Sequence, residues 1–125
     1  MGLRILLVDD HEVVRVGVRA LIDRQPEMEV IGEAGTVREA VTQCQKLMPD
    51  VVVLDIRLPG GNGISALERI KQKEECPTVI MFTNFPYLQY RKRCLELGAD
   101  YFFYKSNEFD RLVALVKKLA EQSPG

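Results

Sequence analysis

The chain has 125 residues, 46% of them hydrophobic and 28% charged, with a formal net charge of −1. That is the composition of one ordinary globular domain, able to bury about two thirds of its unfolded surface. The balance of charge argues against a nucleic-acid or anionic-membrane partner, no apolar run approaches the roughly 18 residues of a membrane span, and no signal peptide is expected.

The chain opens on an apolar strand, Leu3 to Val8, that runs straight into Asp9 and Asp10. From Glu12 to Arg24, Val14, Val18, Leu21 and Ile22 sit at helical spacing, and Pro26 stops the helix. "EVIGEA", Glu29 to Ala34, is a second and shorter strand. Thr36 is placed to cap the next helix with Glu39 as its capping-box partner. Val37, Ala40, Val41, Cys44, Leu47 and Met48 form that helix's apolar face, and Pro49 ends it. "VVVL", Val51 to Leu54, is a third strand and also ends in an aspartate, Asp55. "PGGNG" is a turn, and Ile64, Leu67 and Ile70 mark a third helix. "TVIMF", Thr78 to Phe82, is a fourth strand ending at Thr83. A helix from about Tyr87 to Leu97 is closed by Gly98. "YFFY", Tyr101 to Tyr104, is a fifth strand ending at Lys105. Leu112, Leu115, Val116 and Leu119 give a last helix before the tail "QSPG".

Strand and helix thus alternate five times. Three strands are apolar on both faces and rich in Val and Ile, as in a parallel α/β sheet covered on each side by helices. In such a sheet, ligands bind outside the carboxyl ends of the strands. Asp9, Asp10, Asp55, Thr83 and Lys105 all fall at those ends, so one rim collects three carboxylates, a hydroxyl and an ammonium. Carboxylates that close repel one another unless cations join them. Lys105 offsets one charge, and Mg²⁺, which takes oxygen ligands and keeps several waters, suits the remainder. Such a rim can align a phosphoryl group and stabilise its charge, with one aspartate as nucleophile.

These residues resemble a known family. "ILLVDDHE", "VVVLDIRLPGGNG", the Thr83 strand end and "GADYFFYKS" are similar to the receiver domain of two-component response regulators, from Leu3 to about Leu119. "DDHEVVRVGVRALI" with "VIGEA" further resembles the subfamily whose receivers precede a LuxR-type helix-turn-helix domain. The resemblance implies a flavodoxin-like, CheY-like (βα)5 three-layer sandwich with strand order 2-1-3-4-5, residues 1–121 forming the receiver and 122–125 a tail or linker start. It implies that Asp55 is the phosphoacceptor. Asp10, Asp55 and the backbone carbonyl of Arg57 would ligate Mg²⁺ directly, and Asp9 would act through a water. Lys105 would pair with the acids and then the phosphoryl group, Thr83 would swing in to hydrogen-bond it, and Phe102 would report the state by its rotamer. The donor would be a sensor histidine kinase or a histidine phosphotransfer protein, in the cytoplasm. A homodimer formed on phosphorylation, and transcription as the controlled output, also follow from the resemblance. The module would not be a turnover enzyme: it would transfer a phosphoryl group to itself and lose it by autodephosphorylation. Arg57, Ser106, Asn84, Phe85 and the glycine-rich "GGNG" depart from the family's commonest residues, and with Ser106 after Lys105 a cis peptide there is not expected.

Each residue has a plainer reading. Asp9 or Asp10 alone could cap a helix, Asp55 a strand end, and Lys105, Thr83 and Phe102 could be ordinary surface or core residues. Their coincidence at one rim favours the pocket. His11, the one histidine, reads as an exposed residue at a helix start, and the run "YRKRC" as a solvated helix face. Tyr104 reads as pointing outward from the last strand. Cys44, Cys76 and Cys94 read as free thiols of a reducing compartment. Two other functions compete. A flavin-binding electron carrier needs a hydroxyl- and glycine-rich phosphate cradle where "DDHE" stands. An aspartyl-phosphate hydrolase usually has a second acid where Arg57 stands. No helix-turn-helix occurs within these residues, so direct DNA binding by the chain is not expected.

Overall fold

A computed structural model describes residues 2–85 and 87–122. The elements follow in the order β1 (Leu3–Val8), α1 (Glu12–Asp23), β2 (Met28–Ala34), α2 (Val37–Leu47), β3 (Val51–Leu54), α3 (Gly63–Lys71), β4 (Thr78–Thr83), α4 (Leu88–Glu96), β5 (Tyr101–Tyr104) and α5 (Phe109–Gln122). The strands pair in parallel in the order β2-β1-β3-β4-β5. This is the expected doubly wound α/β sheet, and β3, with all four residues buried, lies at its centre.

Alternation along the strands divides the core in two. Leu6, Val8, Val52, Leu54, Val79 and Met81 face α2, α3 and α4, where Ala40, Leu67 and Cys94 meet them. Ile5, Leu7, Val51, Val53, Ile80 and Phe82 face α1 and α5, where Val18, Ile22, Leu112 and Val116 meet them. Full burial of a Leu or Ile side chain contributes about 1.5–3 kcal/mol. The central strands therefore anchor whatever their ends carry.

Local signals set the helix ends. The Thr36 hydroxyl accepts from the Glu39 N–H at 3.1 Å and donates to the Glu39 carboxylate at 3.2 Å, a variant of the expected capping box. Asn62 caps α3 by accepting from the N–H groups of Ile64 and Ser65 at 2.9 and 3.1 Å. Gly98, after α4, has a φ of +104°, which glycine adopts without penalty. Met48 departs from the expected apolar face. It caps α2 in the left-handed region, with φ 49°, and its side chain is exposed. Pro49 disfavours a helical conformation at the residue before it. Arg4 fills the freed positions by donating to the carbonyls of Leu47 and Met48 at 2.7 and 2.8 Å. Tyr104 also departs from its expected outward setting. It is half-buried on the Phe102 side of β5, the two rings 5.4 Å apart. The last helix runs to Gln122, where the tail was expected to start; residues 123–125 lie outside the described residues.

Candidate functional site

The sheet's own hydrogen bonding carries the candidate residues one step past the strands. The Asp9 N–H donates to the Ala34 carbonyl, the Asp55 N–H to the Val8 carbonyl and the Lys105 N–H to the Thr83 carbonyl, each at 3.0 Å. Fixed backbone at three strand ends thus aims three side chains at one point. The Asp9 and Asp55 carboxylates and Thr83 are buried, whereas Asp10 is exposed at the rim.

Lys105 is the centre of the constellation. Its Nζ donates to Asp55 Oδ2 at 2.6 Å and pairs with Asp9 Oδ2 as well. Burial works to lower the lysine's pKa, but the hydrogen bonds and charges of Asp55 and Asp9 outweigh it, so the ammonium is held above the ordinary value of 10.5. Even so, carboxylates outnumber the ammonium three to one. Ligand atoms of Asp9, Asp10, His11 and Asp55 all lie within 4.8 Å of one another. That oxygen-rich donor set fits a small divalent cation, and receiver domains bind Mg²⁺ at an acidic pocket of this kind.

The remaining expected residues surround the acids. The Thr83 hydroxyl is turned to its own chain and accepts from the Phe85 N–H at 3.2 Å. Phe102 is buried, with the Arg91 guanidinium 5.5 Å above its ring. The Arg57 N–H reaches Asp55 Oδ1 only at 3.4 Å, while its guanidinium lies 4.8 Å over the Phe85 ring. The Asn84 side chain accepts from the Ser106 N–H at 2.8 Å, tying the β4 and β5 loops together. No described peptide bond is cis.

Two residues matter here that the sequence pattern did not single out, and a third whose direction it did not give. Gly63 donates its N–H to the Ile56 carbonyl at 2.6 Å, and a Cβ at Gly63 would sit 1.9 Å from the Asp55 carbonyl oxygen. Only glycine lets α3 approach Asp55 so closely. Its signal was its place directly after the α3 cap, Asn62. Arg15 donates to the Asp9 carbonyl and, through Nε, to Glu33 at 3.1 Å, holding the loop after β1. Nothing local marked it: it is one of two arginines on α1, with Arg19. His11 is exposed, as expected, yet its ring also faces Asp9 and Asp10.

A parallel 2-1-3-4-5 sheet with an acidic, lysine-clamped pocket at its carboxyl ends is the architecture of a receiver-type signalling domain. Residues 5–117 match the family described as response regulator receiver domain, and the chain belongs to that family of two-component signalling modules. It is 31% identical over 121 residues to the response regulator protein VraR of Staphylococcus epidermidis, covering 97% of this chain and 58% of that protein. It is 33% identical over 122 residues to the transcriptional regulatory protein LiaR of Bacillus subtilis, covering 98% of this chain and 58% of that protein. The chain therefore spans little more than half the length of these relatives. Among solved structures, the response regulator domain of Thermotoga maritima CheB superimposes with a TM-score of 0.85 at 32% identity, covering 98% of this chain and 96% of that one. A LuxR-family two-component response regulator from Aurantimonas sp. SI85-9A1 gives 0.87 at 34% identity, covering 98% and 87%. Family membership sets aside the flavin-carrier and hydrolase readings. No described helix is long and apolar enough to cross a membrane.

Proposed function

We propose that this chain is a phosphorylation-switched receiver whose phosphoacceptor is Asp55. The observation that carries the reading is the buried Asp55 carboxylate, held 2.6 Å from the Lys105 ammonium inside a cluster of further acids. The donor is a phosphohistidine on a sensor histidine kinase or histidine phosphotransfer protein. Asp55 Oδ1, the oxygen not engaged by Lys105, attacks phosphorus. A P–O bond forms, the P–N bond breaks, and the imidazole leaves with its electron pair and takes up a proton. Asp10, Asp55 and the Arg57 carbonyl would hold Mg²⁺ directly and Asp9 through a water. When bound, the ion neutralises charge between the acids and the phosphoryl oxygens.

The other residues convert the event into a signal. The phosphoryl group adds about −1.5 to −2 charges and strong acceptors, and Lys105 exchanges Asp9 for one of them. The Thr83 hydroxyl leaves the Phe85 N–H to donate to another. Its departure changes the packing next to β5 around the already buried Phe102, shifting the surface formed by α4, β5 and α5. That surface controls an output, which in relatives named as transcriptional regulators is transcription, and homodimerisation on phosphorylation is one form of it. The chain contributes no direct DNA contact of its own, acts in the cytoplasm, and is a self-modifying module that loses its phosphoryl group by autodephosphorylation. The receiver takes in every described element, through the end of α5 at Gln122.

The test is incubation with a small acyl-phosphate donor and Mg²⁺, followed by intact-mass measurement. One phosphoryl mass, released by hydroxylamine, is expected for the wild type and none for Asp55→Asn. Undiminished labelling of Asp55→Asn would overturn the site assignment.

A further inference from the structure

We propose that His11 is a ligand of the acid-pocket cation and biases the site toward transition-metal dications over Mg²⁺. This rests on the pocket being the metal site, as above, and adds a residue and a selectivity to it.

Three observations converge. First, His11 occupies the N-cap position of α1 but its side chain makes no capping hydrogen bond. Ser, Thr, Asn or Asp ordinarily holds such a position because their oxygens satisfy helix N–H groups. Here the helix receives nothing from the imidazole. Second, the ring is turned to the acids: Nδ1 lies 3.2 Å from Asp9 Oδ1 and 3.1 Å from Asp10 Oδ1. The His11 backbone N–H also donates to Asp9 Oδ1 at 2.8 Å, which fixes the loop that presents the ring. Third, the Lys105 ammonium engages different carboxylate oxygens from those nearest the ring. Lys105 takes the Oδ2 atoms of Asp9 and Asp55, which leaves Asp9 Oδ1, Asp55 Oδ1 and the Asp10 carboxylate, together with the imidazole, as the remaining donors. The ring is 64% exposed, so it can reorient without disturbing the core.

Chemistry gives the selectivity. Mg²⁺ prefers oxygen ligands and near-ideal octahedral geometry, and gains little from imidazole. Ni²⁺, Cu²⁺ and Zn²⁺ bind imidazole well, and affinities for nitrogen- and oxygen-donor sites rise from Mn²⁺ through Co²⁺ and Ni²⁺ to Cu²⁺, with Zn²⁺ below copper. Carboxylates alone would serve both groups. A nitrogen donor at the mouth separates them.

The chain's single histidine makes the test direct. In untagged protein carrying Cys76→Ser, which removes the exposed thiol as a competing ligand, Zn²⁺ and Mg²⁺ are titrated separately. The readouts are the His11 ring ¹⁵N resonances and calorimetry. Zn²⁺ is expected to shift a ring nitrogen from its free position, and Mg²⁺ to leave both largely unmoved. His11→Asn should lose about tenfold or more in Zn²⁺ affinity, in the range typical of disturbed metal sites, and keep its Mg²⁺ affinity within about twofold. Ring nitrogens unmoved by Zn²⁺, or equal loss of both ions in His11→Asn, would overturn the proposal. Asp10→Asn separates it from the reading beneath it. That variant should weaken both ions, and if it weakens neither, the acid pocket is not the metal site and the role of His11 falls with it.

Discussion

Two aspartates bracket β3, Asp50 before Val51 and Asp55 after Leu54, and they do different work. Asp50 Oδ2 accepts from the Arg4 N–H at 2.8 Å, closing an open end of the neighbouring strand. Asp100, before β5, does the same for the Val79 N–H at 2.8 Å and pairs with Lys71 at 2.8 Å. At the amino rim of the sheet each acid stands by itself among donors. At the carboxyl rim Asp55 receives one long backbone contact and otherwise faces Lys105, Asp9 and Asp10. Residue type is the same at both ends, and company is what differs. An isolated acid finishes a sheet, whereas acids gathered at the carboxyl ends of parallel strands repel one another and call for a cation.

The largest effect that tests this contrast is the paired substitution of the two. Asp55→Asn should abolish acyl-phosphate labelling outright. Asp50→Asn keeps a carbonyl oxygen to accept from Arg4 and should label at the wild-type rate, while Asp50→Ala should cost about 1 kcal/mol of stability, the worth of one hydrogen bond at an exposed site. Labelling lost in Asp50→Asn would mean that the two rims are not separate.

Lys105→Ala should produce the next largest change. Removing one partner of a buried ion pair leaves its counter-charges uncompensated, commonly at about 3 kcal/mol or more. Here two buried carboxylates lose the ammonium together. The variant should therefore melt well below the wild type without Mg²⁺ and recover more of its stability than the wild type does when Mg²⁺ is added. Asp55 should still accept a phosphoryl group, poorly coupled to any change of partner affinity. A Lys105→Ala melting curve that Mg²⁺ does not move would argue that Lys105, rather than a metal, is the pocket's main cation.

What could be read in advance follows from the same contrast. The strand ends were legible because β1, β3 and β4 are apolar runs, broken inside only by Arg4, that stop at Asp9, Asp55 and Thr83, so position along the chain equals position on the rim. Helix caps with a local signature, such as Thr36 with Glu39, were legible for the same reason. Contacts that depend on a partner distant in sequence were not. Arg15 acquires its place from Glu33 on β2 and the Asp9 carbonyl, and nothing near residue 15 announces either. Gly63 looked like one more turn glycine, because the closeness of the Asp55 carbonyl exists only once α3 docks. Met48 fitted the helical period, and only the left-handed stop before Pro49 turned it outward. His11 was placed correctly as exposed, but a ring's direction is set by two carboxylates, not by spacing.

The smallest expected effect concerns the thiols, which sharpen the contrast by probing the amino rim. Cys44 and Cys76 line a groove of about 540 Å³ at that end, with Met48, Arg69 and Pro77, and Cys94, on the inner face of α4, is buried in the core. Burial raises the Cys44 thiol to about 11, against a smaller lowering by Lys73, and burial alone raises Cys94 to about 11. The thiolate is the reactive form, so at pH 8 both would be ionised to only about one part in a thousand. Cys76 is exposed. Iodoacetamide at pH 8 should therefore add one adduct to the folded protein, at Cys76. Cys44 and Cys94 should follow only as pH climbs toward 11, roughly tenfold faster per unit, or on unfolding. An adduct on Cys94 at pH 8, located by peptide mass, would show that α4, which carries it into the core, opens readily. The singly alkylated protein should then accept a phosphoryl group at the wild-type rate, because the adduct and Asp55 sit at opposite ends of the sheet. A slowed rate would reveal coupling through β3 and β4, the strands that run from the groove to the acid pocket.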